Sequence, residues 1–401
     1  MTIRRMQVRY TPDDRARSVY QYVAFDVPPG SPSVAVTYAY DEPGAVVDLG
    51  LFDPDGFRGW SGGARSSATV SPEAATPGYL PGALPPGRWS VILGLHRVPP
   101  GGVTVSVRVD VAAEPPPTSP PPRHRVDRPP PRSLPAAPGR RWVAADLHTH
   151  TQHSDGQLTI DELASLAAER GIEVLAVTDH NTVSHHPHLA AAGEHAGIHL
   201  LPGQEVTTDQ GHANCFGAVG WIDFRDPPER WLAAAEERGA VMSINHPVAG
   251  DCAWTYPQVP SAPLVEAWHW TWDRRSLDAL RWFQRHLRVA VGGSDFHDYG
   301  AGGLPGQPTT WIELPAEPDE LDDEAVLAAV AAGVTTISAE PYGPCLVRDE
   351  GVLVACAAEG LTLVGPDGGR RRILDEHLRL PVQEGLHLLV DDGGLVHALS
   401  A

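Results

Sequence analysis

Histidines and carboxylates recur where predicted strands end, with the residue types and spacing that bind divalent metal ions. His148 and His150 stand two residues apart, directly after the apolar run Val143-Ala144-Ala145. Residues i and i+2 of a strand point to the same face, so both imidazoles project towards one point, as chelation of a single ion requires. Asp155 follows in a turn past the strand end. Neutral imidazole together with carboxylate suits Zn²⁺, Mn²⁺ or Fe²⁺.

The same pattern repeats further along the chain. Fourteen of the nineteen histidines lie between His148 and His297, and Asp295-Phe296-His297 repeats the i, i+2 arrangement. An isolated H-x-H is as often a surface turn, but a whole set at strand ends favours a metal site. One ion takes roughly four to six ligands, so the set fits two to three divalent ions, Mn, Zn or Fe. The candidate ligands are His148, His150, Asp155, His180, Glu205, His212, His246, Asp295 and His297.

Residues that would contact a substrate are less clearly marked. Arg274 and Arg275 follow the apolar run that ends at Trp268 and could hold an anionic group bidentately. Alternatively, they form the solvated first turn of a helix predicted over residues 276–285. Asp146 either orients an imidazole or caps a backbone amide.

Alternating strands and helices are predicted to position these residues. Thr159 and Glu162 form a capping box at the start of a helix that Gly171 ends. The apolar run over residues 174–177 then predicts a buried strand, with His180 just past its C-terminal end. Repeated strands with polar residues at their C-terminal ends are typical of a β/α barrel, which carries its site at that rim.

Four regions are predicted along the chain. Residues 1–113 contain regularly spaced short strands and predict an all-β sandwich domain, residues 114–141 form a Pro-rich linker, residues 142–340 form the barrel, and residues 341–401 form a small β-rich C-terminal extension. Two Gly-rich segments of the first region, G-W-S-G-G-A-R and T-P-G-Y-L-P-G, either fix turns or cover the neighbouring active site.

Composition excludes several kinds of chemistry. The formal net charge is −20, and all 30 cationic side chains are arginine because the sequence contains no lysine. This excludes a Schiff-base or P-loop lysine and disfavours broad attraction to nucleic acid or anionic membranes. The four cysteines include no C-x-x-C pair, which argues against a disulfide framework or zinc ribbon. No signal peptide or transmembrane run is recognised, so we expect a cytoplasmic protein.

Taken in order, the motifs resemble the PHP (polymerase and histidinol phosphatase) family over residues 142 to about 340. The motifs are D-L-H-T-H-T with S-D-G, T-D-H-N, P-G-Q-E-V-T-T, G-H, I-N-H-P and G-G-S-D-F-H. The two Gly-rich N-terminal segments are further similar to the CehA/McbA-like branch, named for carbaryl hydrolysis. The resemblance implies an α/β fold with a distorted (β/α)₇ barrel that holds up to three divalent metals.

The resemblance also implies a role for each ligand. His148, His150, Glu205 and Asp295 would hold a first metal, and Glu205 would bridge to a second metal bound by His212 and His246. Asp155, His180 and His297 would hold a third. Glu205, Asp155 and His297 would then hold a metal-bridging hydroxide as nucleophile, with Arg275 as a weaker candidate for binding a substrate anion.

The function implied is a metal-dependent hydrolase, a phosphoesterase acting on a small phosphorylated metabolite or nucleotide. Three alternatives stay open: a carbamate or carboxylic-ester hydrolase, a 5′–3′ exonuclease-like enzyme, and a non-catalytic metal-binding regulatory module. Degenerate regulatory modules lose ligands, whereas all nine are present in this sequence. The resemblance implies a small-molecule phosphoester or ester substrate, possibly a nucleotide, and the acidic net charge favours neither a membrane nor a nucleic acid as partner.

Overall fold

The computed structural model describes residues 3–116, 125–286, 288–300, 302–316, 321–333 and 335–401. Residues 117–124 of the predicted linker lie outside this set. The chain divides into two compact units. The first holds the N-terminal sheets together with Thr151–Gly156 and Asp179–Pro187, and the second holds Gln157–Thr178, His188–Ala401 and the chain that leads to His150.

Two four-stranded antiparallel sheets make up most of the first unit. Their strand orders are β1-β8-β3-β6 and β2-β7-β4-β5. The strands are β1 (Ile3–Tyr10), β2 (Tyr20–Val27), β3 (Val34–Tyr40), β4 (Val46–Asp53), β5 (Gly56–Gly62), β6 (Ser67–Val70), β7 (Gly87–Arg97) and β8 (Val103–Asp110).

Alternating side chains of both sheets form one hydrophobic core. In β8, Val103, Val105, Val107 and Val109 are buried, and the residues between them are more exposed. This period of two is what a strand with one face on a core requires. Trp89 of the second sheet is fully buried in the same core.

The first unit also contains a short helix, α1 (Pro12–Arg17), so the all-β prediction is wrong at this point. Thr11 accepts a hydrogen bond from the backbone of Asp14, and the Asp14 carboxylate accepts one from the backbone of Thr11, which completes a capping box. None of its six residues is buried. A helix without an apolar face leaves no hydrophobic period in the sequence, which explains why it was missed.

A single mixed sheet of thirteen strands dominates the second unit, in the order β15-β14-β13-β12-β11-β10-β9-β16-β17-β24-β23-β20-β21. Strands that position the candidate ligands are β9 (Arg140–Asp146), β10 (Val174–Val177), β11 (His199–Thr208), β12 (Gly211–Phe216), β13 (Val241–Ile244), β14 (Leu264–His269) and β15 (Val289–Gly293). The sheet continues with β16 (Thr309–Pro315), β17 (Thr335–Ser338), β20 (Thr362–Val364), β21 (Arg370–Arg372), β23 (His387–Val390) and β24 (Val396–Ser400). The hairpin β18 (Cys345–Asp349) and β19 (Val352–Cys356) pairs with β22 (His377–Pro381) in a separate sheet.

Helices follow only some of these strands, so the (β/α)₇ barrel is not confirmed. β11 and β12 form an antiparallel hairpin, and the described residues between β15 and β16 contain no helix. The helices are α2 (Ile160–Glu169), α3 (His186–Ala196), α4 (Pro228–Glu237), α5 (Asp278–His286) and α6 (Asp323–Ala331). Among the described residues, no helix has the length and apolar character needed to cross a membrane.

The chain segments that follow β9 and β15 lie side by side. The backbone N–H of Asp295 donates to the carbonyl of His148, and that of His150 donates to the carbonyl of Phe296. Thr149 and Phe296 form an isolated parallel bridge. These bonds hold both i, i+2 ligand pairs at one place in the second unit.

Candidate metal centre

Seven of the nine predicted ligands lie in the second unit, each just past or within one of its strands. His148 and His150 follow β9, while Asp295 and His297 follow β15. The other three are Glu205 within β11, His212 at the start of β12 and His246 after β13.

His148, His150, Glu205 and Asp295 form one compact group of potential ligands. His148 Nε2 lies 3.2 Å from Asp295 Oδ1 and 3.3 Å from Glu205 Oε1. His150 Nε2 lies 2.9 Å from Asp295 Oδ1 and 3.5 Å from Glu205 Oε2. Ligand atoms that each stand about 2.1 Å from one cation are roughly 3.0–3.4 Å from one another. The spacing in this group therefore matches a shared ion.

A second group shares the Glu205 carboxylate. Glu205 Oε1 lies 3.2 Å from His212 Nδ1 and 3.4 Å from His246 Nε2. Asn245 Nδ2 donates to the same oxygen over 2.8 Å and fixes the carboxylate from the side. Glu205 thus belongs to two groups of potential ligands at once.

Buried polar atoms test whether a cation fits here. His148 Nε2 is buried and has no hydrogen-bond partner among the described residues, although two carboxylate groups stand within 3.3 Å. Glu205 is fully buried and Glu266 is 3% exposed. Several carboxylates clustered in a low-dielectric environment require positive charge to balance them. The histidine and carboxylate donors fit divalent cations.

The carboxylates hold protons on the neighbouring imidazoles when no metal competes. Burial alone lowers the pKa of His148, but Asp295, Glu205 and Glu266 outweigh burial and raise that pKa well above its ordinary value. The pKa of His246 is raised by the same balance between burial and carboxylates. Burial raises the pKa of Asp295, yet His148 and its neighbours bring that pKa well below the usual range.

We expect the affinity for Mn²⁺ to rise with pH. A metal needs the unprotonated imidazole, and a raised pKa keeps His148 and His246 protonated above the ordinary value of about 6.5. Affinity should rise by up to about tenfold per pH unit for each proton displaced. These raised pKa values stabilise the metal-free fold below about pH 6.5, and this contribution is lost as pH rises through the folded pKa. Calorimetric titration between pH 6 and 8 measures the affinity, and an affinity that does not change over this range would contradict the assignment.

Glu266 and His269 also belong to the centre and are not among the nine ligands predicted from the sequence. Glu266 Oε1 lies 3.1 Å from His148 Nδ1, and its Oε2 accepts from the backbone N–H of His246 over 2.8 Å. His269 Nε2 lies 3.1 Å from Asp295 Oδ2. A carboxylate on the far nitrogen of a ligand imidazole fixes the ring and raises its basicity. The sequence signal was a single charged residue inside the apolar strand β14.

Backbone conformation brings the ligand segments together. Asp295 and His246 adopt positive φ angles of 49° and 24°, which residues other than glycine rarely adopt. Gly293 approaches the first ligand so closely that an added Cβ would lie 2.3 Å from the Cβ of His148 and 3.0 Å from Glu266 Oε1. Such local strain concentrates at functional sites.

We expect Gly293→Ala to displace His148 and weaken metal binding. The added methyl group meets backbone and a fixed Cβ, which cannot move as the end of a flexible side chain can. Overpacking of this kind costs about 1–3 kcal/mol. Metal titration and thermal unfolding measure the effect, with Gly101→Ala as a control, because an added Cβ there meets no atom within 4 Å. Unchanged metal affinity in Gly293→Ala would contradict the close packing described.

The other two predicted ligands, Asp155 and His180, lie in the first unit. His180 Nε2 is 3.5 Å from Asp155 Oδ1. Asp179 next to His180 organises the Asp155 loop, because its carboxylate accepts from Thr151 Oγ1 over 2.7 Å and from Ser154 Oγ over 2.7 Å.

The two Gly-rich N-terminal segments contact these loops within the first unit. Arg65 donates to the carbonyl of Ser154 over 2.7 Å and also to that of Gln152. The N–H of Gly78 donates to Ser184 Oγ over 3.0 Å, and its φ of 96° suits glycine. These contacts give the two segments a role that neither alternative named, which is to hold the loops that carry Asp155 and His180.

We expect Arg65→Gln to loosen the Asp155 loop. The substitution removes two charge-assisted hydrogen bonds to backbone carbonyls, each contributing about 1.5–3 kcal/mol. Amide hydrogen exchange over residues 152–156 should accelerate by about tenfold or more. Arg17→Gln at an exposed ion pair provides the control. Equal exchange in both variants would show that Arg65 does not hold the loop.

The structure also shows the surroundings of His297, Arg275 and Asp146. The His297 ring stacks on His150 with centroids 4.1 Å apart, and its Nδ1 bonds the carbonyl of Asp295 over 2.8 Å. Arg275 lies on the exposed turn before α5. Asp146 caps backbone amides: its Oδ1 accepts from His148 and from Ser294, and its Oδ2 from the N–H of Gly306.

Comparison with known proteins bears on the family resemblance. Residues 146–250 match the profile of the PHP domain. The chain is 42% identical over 210 residues to a 3′,5′-nucleoside bisphosphate phosphatase of Chromobacterium violaceum, which covers 49% of this chain and 66% of that protein. It is 39% identical over 64 residues to a 5′-3′ exoribonuclease of Haemophilus influenzae, or 16% of this chain and 23% of that protein. The predicted resemblance to the PHP family is confirmed, and the chain spans less than two thirds of these relatives.

A structural likeness was also found to a two-domain protein from Bacteroides vulgatus containing a predicted PHP-like metal-dependent phosphoesterase. The TM-score is 0.42 at 16% sequence identity, with 70% of this chain and 91% of that chain covered.

Proposed function

We propose that the PHP domain of this chain makes it a divalent-metal-dependent phosphoesterase that acts on a small phosphorylated metabolite or nucleotide. The phosphatase similar over about half of this chain supports a phosphorylated substrate. The exoribonuclease relatives keep a nucleic acid among the substrates to be tested.

The shared carboxylate of Glu205 is the observation that carries the proposal. It lies between two groups of histidines. Its Oε1 lies 3.3 Å from His148 Nε2 in one group and 3.2 Å from His212 Nδ1 in the other, and its Oε2 lies 3.5 Å from His150 Nε2. A carboxylate in this position can neutralise part of the charge of two neighbouring cations and hold them at a short separation.

Two divalent ions at these groups would lower the pKa of a coordinated water and neutralise charge on a phosphoryl oxygen. His148, His150 and Asp295 would hold one ion, and His212 and His246 the other. Glu266 fixes the His148 ring from behind, and Asn245 fixes the Glu205 carboxylate. These residues are buried or partly buried, which strengthens their electrostatic effect on a bound anion.

Finer proposals rest on the family resemblance and, for the choice of metals, on the ligand types. Asp155, His180 and His297 would hold a third ion, the physiological metals would be Mn, Zn or Fe, and the chain would belong to the CehA/McbA-like branch. The same resemblance supports the distorted (β/α)₇ barrel as the fold type. Arg275 as a contact for a substrate anion is supported only by the bidentate hydrogen bonding of a guanidinium group.

The experiment is elemental analysis of purified protein followed by a substrate panel with added Mn²⁺ or Zn²⁺. The panel contains p-nitrophenyl phosphate, bis(p-nitrophenyl) phosphate, nucleoside 3′,5′-bisphosphates, a 5′-phosphorylated oligoribonucleotide and 1-naphthyl N-methylcarbamate. We expect turnover of phosphoesters. Turnover of the carbamate alone would favour the carbamate hydrolase, and full metal content without any turnover would favour the regulatory module.

A further inference from the structure

Two cysteines outside the metal centre face each other across the hairpin β18–β19. Cys345 and Cys356 are direct partners in the antiparallel register, and both thiols are free. Directly opposed residues of antiparallel strands have Cα atoms about 4.5–5.5 Å apart. A disulfide spans Cα separations of about 4.4–6.8 Å, so the register suits a bond between the two sulfurs.

The two thiols have unequal surroundings. Cys345 is completely buried. Cys356 is itself only 2% exposed, but it lines a cavity of about 510 Å³ together with Arg132, Glu376 and His377. His377 is exposed and is the direct partner of Cys356 on the other neighbouring strand, β22. Cys356 therefore faces the side from which a small molecule would arrive, and Cys345 lies on its far side as a second thiol.

Charge and hydrogen bonding reinforce this asymmetry. The hydrogen bond between the two thiols, together with His377 and Arg132, outweighs burial and lowers the pKa of Cys356 to about 7. The same hydrogen bond and burial raise the pKa of the Cys345 thiol well above its usual range. Arg132 is held in place because its guanidinium donates to the carbonyls of Pro341 and Gly343.

A zinc site is the alternative use of such a group. The described residues contain several histidine and carboxylate groups whose ligand atoms lie within 4.8 Å of one another, and Cys345, Cys356 and His377 are not among them. The arrangement suits a pairwise reaction between sulfurs better than it suits a tetrahedral ion.

We propose that Cys345 and Cys356 form a reversible disulfide site, in which Cys356 reacts first with a small hydroperoxide and Cys345 resolves the product. The Cys356 thiolate attacks one peroxide oxygen, the O–O bond breaks, and the other oxygen leaves as an alcohol or water after taking up a proton. Cys345 then loses its proton and attacks the Cys356 sulfur, and the S–O bond breaks to release water. Two thiols are oxidised to one disulfide, and one hydroperoxide is reduced.

The test treats the full-length, zinc-loaded protein with hydrogen peroxide, alkylates the remaining thiols after denaturation and maps the peptides by mass spectrometry. We expect the thiol count to fall from four to two, with a disulfide joining Cys345 to Cys356. We also expect Cys356 to react at least about tenfold faster than the partly buried Cys252.

Variants identify the order of events. Cys345→Ala should leave a sulfenic acid on Cys356 that dimedone traps, and Cys356→Ala should leave Cys345 unreacted. Cys252→Ala is the matched control and should behave as the wild-type protein does. Thermal unfolding of each variant checks that it folds. The peptide map of the oxidised wild-type protein tests the disulfide even if a variant does not fold. Oxidation of Cys252 in preference to Cys356, or a disulfide between other cysteines, would overturn the proposal.

Discussion

Glu205→Gln is expected to release one of two bound divalent ions and to lower phosphoester turnover by orders of magnitude. The substitution keeps the volume of the side chain but removes the negative charge shared by two groups of potential ligands. Without that charge, two cations at a short separation repel each other with no compensation. The remaining ion would then lower the pKa of a coordinated water and neutralise phosphoryl charge less effectively than two ions together.

Elemental analysis, calorimetric Mn²⁺ titration and steady-state kinetics measure this effect. Glu173→Gln is a matched control, because Glu173 is also buried but pairs with Arg141 and is not a member of the groups of potential ligands found among the described residues. If the Glu205→Gln protein binds two ions and keeps its turnover, Glu205 does not act as a bridge between the two metals. Excess Mn²⁺ should also raise the thermal unfolding temperature of the wild-type protein more than that of Glu205→Gln, because each bound ion stabilises the folded state.

Substitution of Glu266 is expected to have the second largest effect, although its side chain is not one of the predicted ligands. Glu266 bonds His148 Nδ1 and the backbone N–H of His246. Loss of such a partner behind a ligand imidazole costs about 10–100-fold in metal affinity. We expect Mn²⁺ affinity in the order wild type, Glu266→Gln, Glu266→Ala, because glutamine retains a neutral acceptor and alanine retains none.

The measurement is Mn²⁺ affinity for each protein at one pH, with Glu313→Gln as a control carboxylate that pairs with Arg140. A Mn²⁺ affinity of Glu266→Gln that lies between those of the other two proteins would indicate that Glu266 orients the His148 ring. Equal affinities in all three proteins would show that the His148 ring is fixed by other contacts.

Strand-end residues could be found from the sequence because their signal is local. His148 and His150 follow an apolar run, and Asp295 and His297 repeat the same spacing after another. Since such runs end at one edge of a sheet, their polar residues meet even when they are distant in sequence.

Other features depend on long-range contacts and left little signal. Glu266 is a single carboxylate in an apolar strand, and its meaning depends on which imidazole lies beside it. The partnership of Cys345 with Cys356 follows from the strand register, which the sequence spacing does not reveal. The regular alternation expected of a (β/α)₇ barrel is not confirmed, because β11 turns directly into β12. The sequence did not predict that the Asp155 and His180 loops belong to the first unit, because contacts such as Arg65 with Ser154 join residues far apart in the chain.

The most direct test of the central claim is electron paramagnetic resonance of the metal-free protein reconstituted with Mn²⁺. A carboxylate shared by two Mn²⁺ ions holds them close enough for magnetic exchange, so wild-type protein with two equivalents should give the spectrum of a coupled pair. Glu205→Gln should give only the six-line spectrum of isolated Mn²⁺. Wild-type protein that binds two equivalents and shows only isolated ions would contradict the assignment of Glu205 as the bridge between two metals.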